Sequence, residues 1–397
     1  MLTLCTLTSV SLRGSEMDLP SDEDDRTAPS AGATYSRVAG LTLRIERCEL
    51  LPMARDTTSG FTKISTVVRL IGGGHEGQGE DITWDQIDQI ELLRHAGDLS
   101  WLRGTRTFDE FSTLLGLADL FPVEPIRESS RLYRRWAFES AALDLALRQN
   151  GLSLQAAVER VATPVNFVVS TRVEDAAGLA PLRALRGSDP TLRFKLDATP
   201  LWNSDLVAEL AALGCVDVVD MKGHYSNATV AMAPDHDLYR RVIEGLSDAW
   251  IEDPAVTDDT IALLDRHRDR ITWDEPIESV EDIEALPWQP RRLNLKPSRF
   301  GSVRRLFGAY DHCDAHGIGA YAGGMFEQGP GRGQLQYLAS LFHPDGPNDL
   351  APVEYNLQVR EGDLPRTPLQ PDPHETGFRW GTYDQRRSIR ERPLAPN

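Results

Sequence analysis

Eight short apolar segments alternate with helical segments over residues 165–356, and this alternation constrains the fold more than any other feature of the chain. Strands separated by helices form βα units, whose strands lie parallel in one sheet. Eight such units predict an α/β fold of the (β/α)8 type, a TIM barrel. The candidate strands are VNFVVST (165–171), LRFKLD (192–197), VDVVDMK (216–222), AWIED (249–253), ITWDE (271–275), RLNLK (292–296), GIGAYAG (317–323) and LAPVEYN (350–356).

The region before the barrel has a different pattern. Apolar and polar residues alternate in LTLRIERCEL and in KISTVVRLIGGG, and a glycine-rich stretch follows at 71–79, which predicts a hairpin. Residues 85–150 have helical periodicity and end at Gly151, a C-cap candidate. We therefore expect an N-terminal α+β domain over residues 39–155 and a barrel over residues 156–356.

Both termini are expected to lie outside these two domains. Residues 1–38 include PSDEDDRTAPSAGA and predict a disordered leader. A secretory signal would need a basic residue before its apolar part, and none precedes the apolar start of this segment. The tail, residues 357–397, contains LQPDPHETGFRW (369–380). Two placements stay open for it, since it can close the bottom of the barrel or pack on the N-terminal domain.

Charge and cysteine usage exclude several classes of partner. The formal net charge of −18 repels phosphate backbones and anionic lipid, so neither nucleic acid nor a membrane is an expected partner. No apolar run approaches the roughly 18 residues needed to span a bilayer. The four cysteines lie far apart and form no CxxC pair, which indicates a reducing, cytoplasmic location.

Ionisable residues end five consecutive candidate strands. In a (β/α)8 barrel the active site lies at the C-terminal ends of the strands, so these side chains are expected to converge there. A single carboxylate at a strand end is more often a helix cap or a salt-bridge partner, but five in succession indicate a functional site. They are Lys195, Asp220, Glu252, Asp274 and Lys296.

The order of these residues indicates a particular chemistry. Three carboxylates in an apolar barrel mouth repel one another unless a cation binds them, and hard oxygen ligands favour Mg2+, with Mn2+ as the alternative. A metal placed there can stabilise the charge that forms when a carboxylate substrate loses its α-proton. Lys195 and Lys296 on opposite sides are candidates for the acid and base, because burial and a nearby cation both disfavour the charged form of lysine.

Several motifs resemble the enolase superfamily, in the branch similar to muconate lactonizing enzymes, o-succinylbenzoate synthases and dipeptide epimerases. The resemblance covers about residues 41–375. WIEDP resembles the metal motif of the fourth strand, and WDEPIESVEDI that of the fifth. LNLKPSRFGSV is similar to the lysine motif of the sixth strand, GGMFEQGPGRGQLQYLASL to the loop and helix of the seventh, and GGGHEGQGED to the turn and glutamate of the capping domain.

The resemblance implies roles for individual residues. It implies that Asp220, Glu252 and Asp274 bind the metal and that Lys195 and Lys296 are catalytic. It also implies that loops 55–63 and 79–84 of a capping domain touch the substrate. Candidate substrate-binding residues are Arg193, Lys222, Asn294, Phe61, Phe326 and Glu327.

The chain departs from the family pattern in three places. Arg193 replaces the first lysine of the second-strand pair, and a permanently charged guanidinium does not suit a base. Lys222 stands where the family usually has asparagine; residues two apart share a strand face, so Lys222 either competes with the metal or adds a substrate-binding or acid/base group. An insertion, GHYSNATVAMAPDHD, follows, in which His224 and Tyr225 either line the mouth or belong to a solvated loop.

One alternative alignment makes Asp197 the first metal ligand. FKLDATPLW also resembles the third-strand stretch of the family. This alignment would leave the strand at 216–222 unassigned, so counting strands favours Asp220. Branches that use a His-Asp dyad are disfavoured, because no histidine occurs in GIGAYAGG.

The predicted function is that of an Mg2+-dependent isomerase or lyase. It would abstract the α-proton of a small carboxylate substrate to give a metal-stabilised enolate, leading to racemisation, epimerisation, cycloisomerisation or syn-elimination. The alternative is a catalytically silent barrel that serves as a binding or scaffold protein, which Lys222 beside Asp220 would support. An acid-sugar dehydratase would need a histidine base that is not found. Family resemblance also implies a homo-oligomer.

Overall fold

The computed structural model describes residues 33–95, 97, 99–225, 231–358 and 363–381. In its N-terminal domain, β2, β3 and β4 form an antiparallel sheet on which α4 packs, while β1 pairs with β5. The helices and strands of this domain are α1 (Ala33–Ala39), β1 (Thr42–Ile45), β2 (Arg47–Asp56), β3 (Thr62–Gly72), β4 (His75–Asp81), α2 (Gln86–His95), β5 (Gly104–Thr107), α3 (Phe108–Gly116) and α4 (Ser130–Gln149).

Close contact between α4 and β4 depends on a glycine. A Cβ atom at Gly79 would lie 2.0 Å from the carbonyl oxygen of Ala137 in α4, so no other residue lets the helix approach the strand as closely. The predicted glycine-rich turn at 71–79 is too long. The turn itself is Gly73–Gly74, both with positive φ, and the following residues belong to β4.

The predicted leader, residues 1–38, lies outside the described residues as far as residue 32. Residues 33–38 are helical and belong to α1, contrary to the expectation of disorder. Tyr35 and Val38 are fully buried there, and Tyr35 donates a hydrogen bond of 2.8 Å to Asp109. Burial of these two side chains stabilises this helix in spite of the polar composition of the segment.

The C-terminal domain is a (β/α)8 barrel, as predicted. Strands β6 to β10 form one parallel sheet in chain order, and β11 pairs in parallel with β12. The elements are α5 (Leu154–Val158), β6 (Val168–Arg172), α6 (Leu179–Ser188), β7 (Arg193–Asp197), α7 (Ser204–Leu213), β8 (Val216–Asp220), α8 (His236–Gly245), β9 (Trp250–Glu252), α9 (Ile261–Arg266), β10 (Ile271–Thr272), α10 (Val280–Glu284), β11 (Arg292–Asn294), α11 (Pro297–Phe300), α12 (Val303–His316), β12 (Gly319–Tyr321) and α13 (Pro330–Phe342).

Isolated backbone hydrogen bonds close the ring between these two sheets. The backbone N–H of Asn294 donates to the carbonyl of Trp273, which joins β11 to the end of β10. At the other gap, Asn348 and Asp349 take the eighth strand position: Val168 donates to the Asn348 carbonyl, and Asp349 donates to that of Ala322.

The prediction of the eighth strand at 350–356 is therefore wrong by a few residues. Residues 353–355 form a 3-10 turn instead. The barrel closes through Asn348 and Asp349, whose polar side chains do not carry the apolar signal of a buried strand. The Asn348 side chain compensates for this, since it accepts the Ala322 amide at 2.9 Å and donates to the backbone carbonyls of Asn166, His343 and Gly346.

The described part of the tail contacts both domains. Leu369 exchanges backbone hydrogen bonds with Val165, immediately before β6, at the base of the barrel. Farther on, Phe378 and Arg379 both donate to the carboxylate of Asp144 in α4, at 2.9 and 2.8 Å. The two placements that the sequence left open thus hold for different parts of the tail.

A buried glutamate of the N-terminal domain caps a barrel helix. Glu80 in β4 accepts backbone hydrogen bonds from Gln328 and Gly329, each at 2.8 Å, and from Gly331 at 3.1 Å. These amides lie at the start of α13, where the free N–H groups of a helix attract negative charge. The contact holds the capping domain against the C-terminal ends of the strands. No helix in the described part of the chain is both long and apolar enough to span a membrane.

Candidate active site

Three fully buried carboxylates meet at the C-terminal ends of β8, β9 and β10. Asp220 is the last residue of β8, Glu252 is the last of β9, and Asp274 follows β10 by two residues. Each offers one oxygen such that the three lie within 4.8 Å of one another. We call these residues the carboxylate triad.

Strand register explains this convergence and separates Asp220 from Asp197, the first metal ligand of the alternative alignment. Asp197, Asp220 and Glu252 are direct neighbours across three parallel strands. Only the last two belong to the triad, however. The Asp197 side chain is 30% exposed and pairs with Lys222, so the alternative in which Asp197 is the first metal ligand is not supported.

The two candidate catalytic lysines contact opposite ends of the triad. Lys195 in β7 forms an ion pair with Glu252, and its Nζ atom lies 3.5 Å from Asp220. Lys296 follows β11 by two residues, and its Nζ atom lies 2.8 Å from Asp274 Oδ2. Both side chains are buried. Pairing with Asp274 therefore compensates for the burial of the Lys296 charge.

Burial and charge act in opposite directions on these groups. Burial alone would lower the pKa of Lys195, but Glu252 and Asp220 outweigh it and hold the pKa well above its ordinary value. Burial raises the pKa of Glu252 in spite of Lys195. The pKa of Asp274 is lowered although burial would raise it, because Arg299 and Lys296 lie beside it.

The donor set of the triad fits a divalent cation. Among the described residues, Asp274 Oδ1 is buried and has no hydrogen-bond partner. A carboxylate oxygen without a partner is costly in a buried site, and a hard cation is the ligand that oxygen donors of this kind prefer. Asn294 Oδ1, next to Glu252, is also buried without a partner.

Asp274 is held in place by two residues that the motif analysis did not select. Asp253, which has φ of +50°, accepts the backbone amides of Asp274 and Glu275 at 2.8 and 2.9 Å. Arg299 donates to the Asp274 carbonyl at 2.8 Å and is fully buried. Asp253 directly follows Glu252 in WIEDP, and Arg299 follows Lys296 by three residues in LNLKPSRFGSV. Their closeness to predicted site residues was the signal that could have identified them.

The other side of the triad is fixed by β11 and β12. The side-chain amide of Asn294 donates to Glu252 Oε2 at 3.3 Å, and the Tyr321 hydroxyl donates to the same oxygen. Gly323 leaves room for Lys296, since a Cβ atom there would lie 2.6 Å from the Cε of the lysine. Asn294 thus contacts a triad residue, and its proposed role in substrate binding stays a prediction.

Asp349 is a fourth acidic residue at the mouth, and sequence analysis missed it. Burial raises its pKa, while Lys195 and Lys296 act to lower it. It occupies the eighth strand position, so the misplaced eighth strand explains the omission. Correct placement would have identified it as a strand-end carboxylate.

Lys222 lies beside the triad, and its Nζ atom is 2.5 Å from Asp220 Oδ2. The insertion after it is described as far as Tyr225 and again from residue 231. The Tyr225 hydroxyl donates to Asp274 Oδ2 at 3.4 Å, so this side chain lines the mouth. His224 instead contacts the carbonyl oxygen of Pro254 at 3.2 Å.

Aromatic side chains from the two domains meet at one side of the mouth. The ring of Phe61 in the capping domain lies 5.3 Å from that of Phe326 in the loop after β12, and Trp84 packs on both. Met325, next to Phe326, places its sulfur 3.8 Å from Lys296 Nζ. The cluster of Phe61, Trp84 and Phe326 therefore lies next to a candidate catalytic lysine.

Two polar residues adjoin this aromatic cluster. Glu327 accepts the Met325 amide at 2.9 Å and pairs with Arg332, so its carboxylate supports the loop. Lys63 is buried, donates to the Ile82 carbonyl at 2.9 Å and lies 4.7 Å from the ring of Trp84. Burial lowers the pKa of Lys63 to about 8. Sequence analysis missed Lys63, although it is one of only four lysines in the chain.

Arg193 does not reach the site, so its prediction as a substrate-binding residue is wrong. It is the first residue of β7, and its guanidinium pairs with Asp217 and with the Gly214 carbonyl. Both partners lie at the N-terminal end of β8. The side chain of Arg193 therefore extends toward the opposite end of the barrel from Lys195.

Comparison with known proteins agrees with this architecture. Two family models match, described as the N-terminal and C-terminal domains of a domain of unknown function, DUF8230, over residues 36–157 and 161–357. An N-succinylamino acid racemase of Thermus thermophilus is 26% identical over 359 residues, which cover 81% of this chain and 92% of that protein. An o-succinylbenzoate synthase of Bacillus subtilis is 27% identical over 54% of this chain and 57% of its own length.

Solved structures share the fold over most of its length. An enolase superfamily member from Listeria innocua superposes with a TM-score of 0.62 at 20% identity, covering 80% of this chain and 88% of that one. This chain has the fold of the enolase superfamily. The muconate lactonizing enzyme of Pseudomonas putida shares this fold, with a TM-score of 0.63 and 21% identity over 87% of this chain and 98% of that enzyme.

Proposed function

We propose that this enolase superfamily protein is an Mg2+-dependent enzyme that removes the α-proton of a small carboxylate substrate. The observation that carries the proposal is the arrangement of two buried lysines at opposite ends of the carboxylate triad. Relatives named as a racemase and as a synthase are consistent with it. The reaction would be a racemisation or epimerisation, or else a cycloisomerisation or syn-elimination.

Asp220, Glu252 and Asp274 would hold the cation. When bound, it would supply positive charge to the substrate carboxylate and to the enolate that forms on loss of the α-proton. The unpartnered oxygen of Asp274 supports this role. Mg2+ is proposed from the all-oxygen ligand set, with Mn2+ as the alternative.

Lys195 and Lys296 would exchange protons with the substrate at their Nζ atoms. Without a cation, the triad holds the pKa of Lys195 well above its ordinary value, against the effect of burial. A divalent cation would offset the negative charge of the triad, and burial would then favour the neutral amine. The base form of the lysine thus becomes accessible only in the metal-loaded site.

The two lysines allow two outcomes. Because they lie at opposite ends of the triad, one can remove the α-proton and the other can return a proton to the opposite face, which is racemisation. In an elimination or cycloisomerisation, one lysine is the base and the other stays protonated near the anionic substrate. The pairing of Lys195 with Glu252 and of Lys296 with Asp274 is compatible with both.

The aromatic cluster indicates the character of the substrate beyond its carboxylate. Phe61 and Trp84 of the capping domain and Phe326 of the barrel form an apolar surface next to Met325 and Lys296. Apolar surface in a pocket favours an apolar part of the ligand. We therefore propose a substrate that carries an apolar group near its α-carbon, with Phe61 and Phe326 as contact residues.

A silent barrel that serves as a binding protein is the second candidate. The observation that favours it is the contact between Lys222 and Asp220, because an ammonium group there opposes cation binding. The intact pair of Lys195 and Lys296 favours the enzyme. Measurement of bound metal after dialysis against Mg2+ separates the two.

Deuterium exchange tests the proposed chemistry directly. The protein is incubated with Mg2+ in D2O and a panel of α-substituted carboxylates, N-acylated amino acids and dipeptides, and exchange is read by proton NMR. Exchange should be abolished or reduced at least a hundredfold in Lys195→Ala, Lys296→Ala and Asp274→Asn. The control is Arg193→Gln, which removes a cation from the same strand as Lys195 and should leave exchange unchanged. Exchange that persists in both lysine variants would refute the proposed roles, and a metal-free wild-type protein would favour the silent barrel.

We extend the proposal to location and assembly. The described cysteines Cys48, Cys215 and Cys313 are free, which supports a reducing, cytoplasmic compartment. A homo-oligomer is proposed from family resemblance, and sedimentation velocity would test it.

A further inference from the structure

Lys222 has an unusual backbone conformation directly after β8. Its φ angle is +52°, a left-handed value that residues with a Cβ atom rarely adopt. Gly223 then donates a hydrogen bond to the Asp253 carbonyl at 2.8 Å, and a Cβ atom at Gly223 would lie 2.3 Å from the Ala255 amide. The loop is therefore fixed by its neighbours, and this directs Lys222 back toward the triad.

Lys222 occupies both oxygens of Asp220. Its backbone amide donates to Oδ1 at 3.0 Å, and its Nζ atom donates to Oδ2 at 2.5 Å. Asp220 is also the triad residue nearest to Lys195 after Glu252. A cation that binds Asp220 through Oδ2 must therefore displace the ammonium group of Lys222.

The carboxylate of Asp197 lies close enough to bind this ammonium group as well. Asp197 Oδ1 lies 3.2 Å from Lys222 Nζ, and Asp197 is the direct neighbour of Asp220 in the strand register. The ring of Tyr225 lies 4.7 Å from the same nitrogen and offers a cation–π contact. A small rotation of the side chain can thus break the contact with Asp220 and keep the other two.

We infer that Lys222 is the internal counter-ion of the metal-free site and that divalent metal binding transfers its ammonium group from Asp220 to Asp197. This inference rests on the proposed function. It has two consequences. The charge of Lys222 weakens metal binding, because like charges a few ångströms apart repel strongly in a buried site. Asp197 strengthens metal binding, because it holds the displaced ammonium group.

Metal affinities of matched variants test the inference. Mg2+ and Mn2+ binding is measured by isothermal titration calorimetry on the full chain. Lys222→Met keeps an unbranched side chain with a Cβ atom but removes the charge, and should bind at least tenfold more tightly than the wild type. Lys222→Arg keeps the charge and should bind within threefold of the wild type. Asp197→Asn should bind at least fivefold more weakly.

Arg193→Gln is the control for a general charge effect. It also removes one cation from the barrel, but far from the triad, and should leave the affinity unchanged. Unchanged or weaker binding by Lys222→Met would overturn the inference, as would unchanged binding by Asp197→Asn or equal tightening by Arg193→Gln. If Asp274→Asn binds metal as well as the wild type, or if no variant binds metal, the proposed function itself fails.

A spectroscopic measurement reports the transfer without activity. The chain contains only four lysines, so protein labelled with 13C at lysine Cε gives four side-chain signals, and the one missing in Lys222→Met is that of Lys222. Mg2+ should shift this signal in the wild type. In Asp197→Asn it should shift to a different position, because the acceptor is lost. A Lys222 signal that does not move at saturating Mg2+ would refute the transfer.

Discussion

His343 at the end of α13 should make the stability of the barrel depend on pH. Its Nδ1 atom lies 2.8 Å from Asn348 Oδ1, and its Nε2 atom lies 3.2 Å from the Tyr310 hydroxyl. Since the amide oxygen of Asn348 can only accept, Nδ1 carries the proton and Nε2 accepts from Tyr310. The neutral ring therefore supports Asn348, the residue through which the barrel closes.

Burial lowers the pKa of His343 from about 6.5 to about 4. Above pH 6.5 the ring is neutral in the folded and unfolded chains alike. As the pH falls from 6.5 to 4, the unfolded chain binds a proton that the folded one does not, so the free energy of unfolding decreases. The difference in pKa corresponds to roughly 3 kcal/mol, most of it lost by pH 4 and the rest just below.

Urea unfolding of the wild type and of His343→Gln at several pH values from 7.5 to 4 measures this effect. The substitution removes the titratable ring, so the pH-dependent contribution of His343 is present in the wild type and is lost from it alone as the pH falls. The difference between the two free energies should therefore shrink by about 3 kcal/mol between pH 7 and pH 4. A difference that stays constant over this range would refute the assignment of a buried neutral His343. Dilute protein is required, because the range passes the isoelectric point near 5.0.

Three further changes have defined outcomes. Raising NaCl from 0.1 to 1 M should raise the urea midpoint of the wild type, because salt screens the self-repulsion of a chain with a net charge of −18; a lower midpoint would contradict this. Glu80→Gln should lower the free energy of unfolding by about 3 kcal/mol, since its amide nitrogen faces backbone donors in either orientation; a loss below 1 kcal/mol would mean that Glu80 does not hold α13. Asp253→Asn should weaken Mg2+ binding about tenfold in calorimetry, because it positions Asp274, and unchanged affinity would exclude that role.

The layout of the site could be predicted because a barrel imposes it. Each βα unit returns the chain to the same face, so residues spaced by one unit converge regardless of what lies between them. For this reason Asp220, Glu252 and Asp274 could be selected from strand ends alone, and the structure brings their oxygens together. The same counting preferred Asp220 to Asp197, and Asp220 is the one whose oxygen lies with those of Glu252 and Asp274.

Features that depend on single side chains could not be predicted in this way. The period of a strand shows that Arg193 and Lys195 share a face, but not that the longer side chain turns to Asp217 at the other end of the barrel. The left-handed conformation of Lys222 leaves no mark in the sequence. Asp349 was missed because the closing segment is too short and too polar to resemble a strand.

The burial of the lysines also determines what the outer surface of the protein offers to reagents. The positively charged residues of the chain are otherwise arginines, and Lys63, Lys195 and Lys296 are at most 5% exposed, while the side chain of Lys222 is 14% exposed. Acylating reagents that attack primary amines should therefore modify these four lysines only slowly in the folded protein. The fraction of lysine that becomes acylated would then report the fraction of molecules in which the lysines are exposed. Acylation followed by mass spectrometry therefore measures how often the barrel mouth opens.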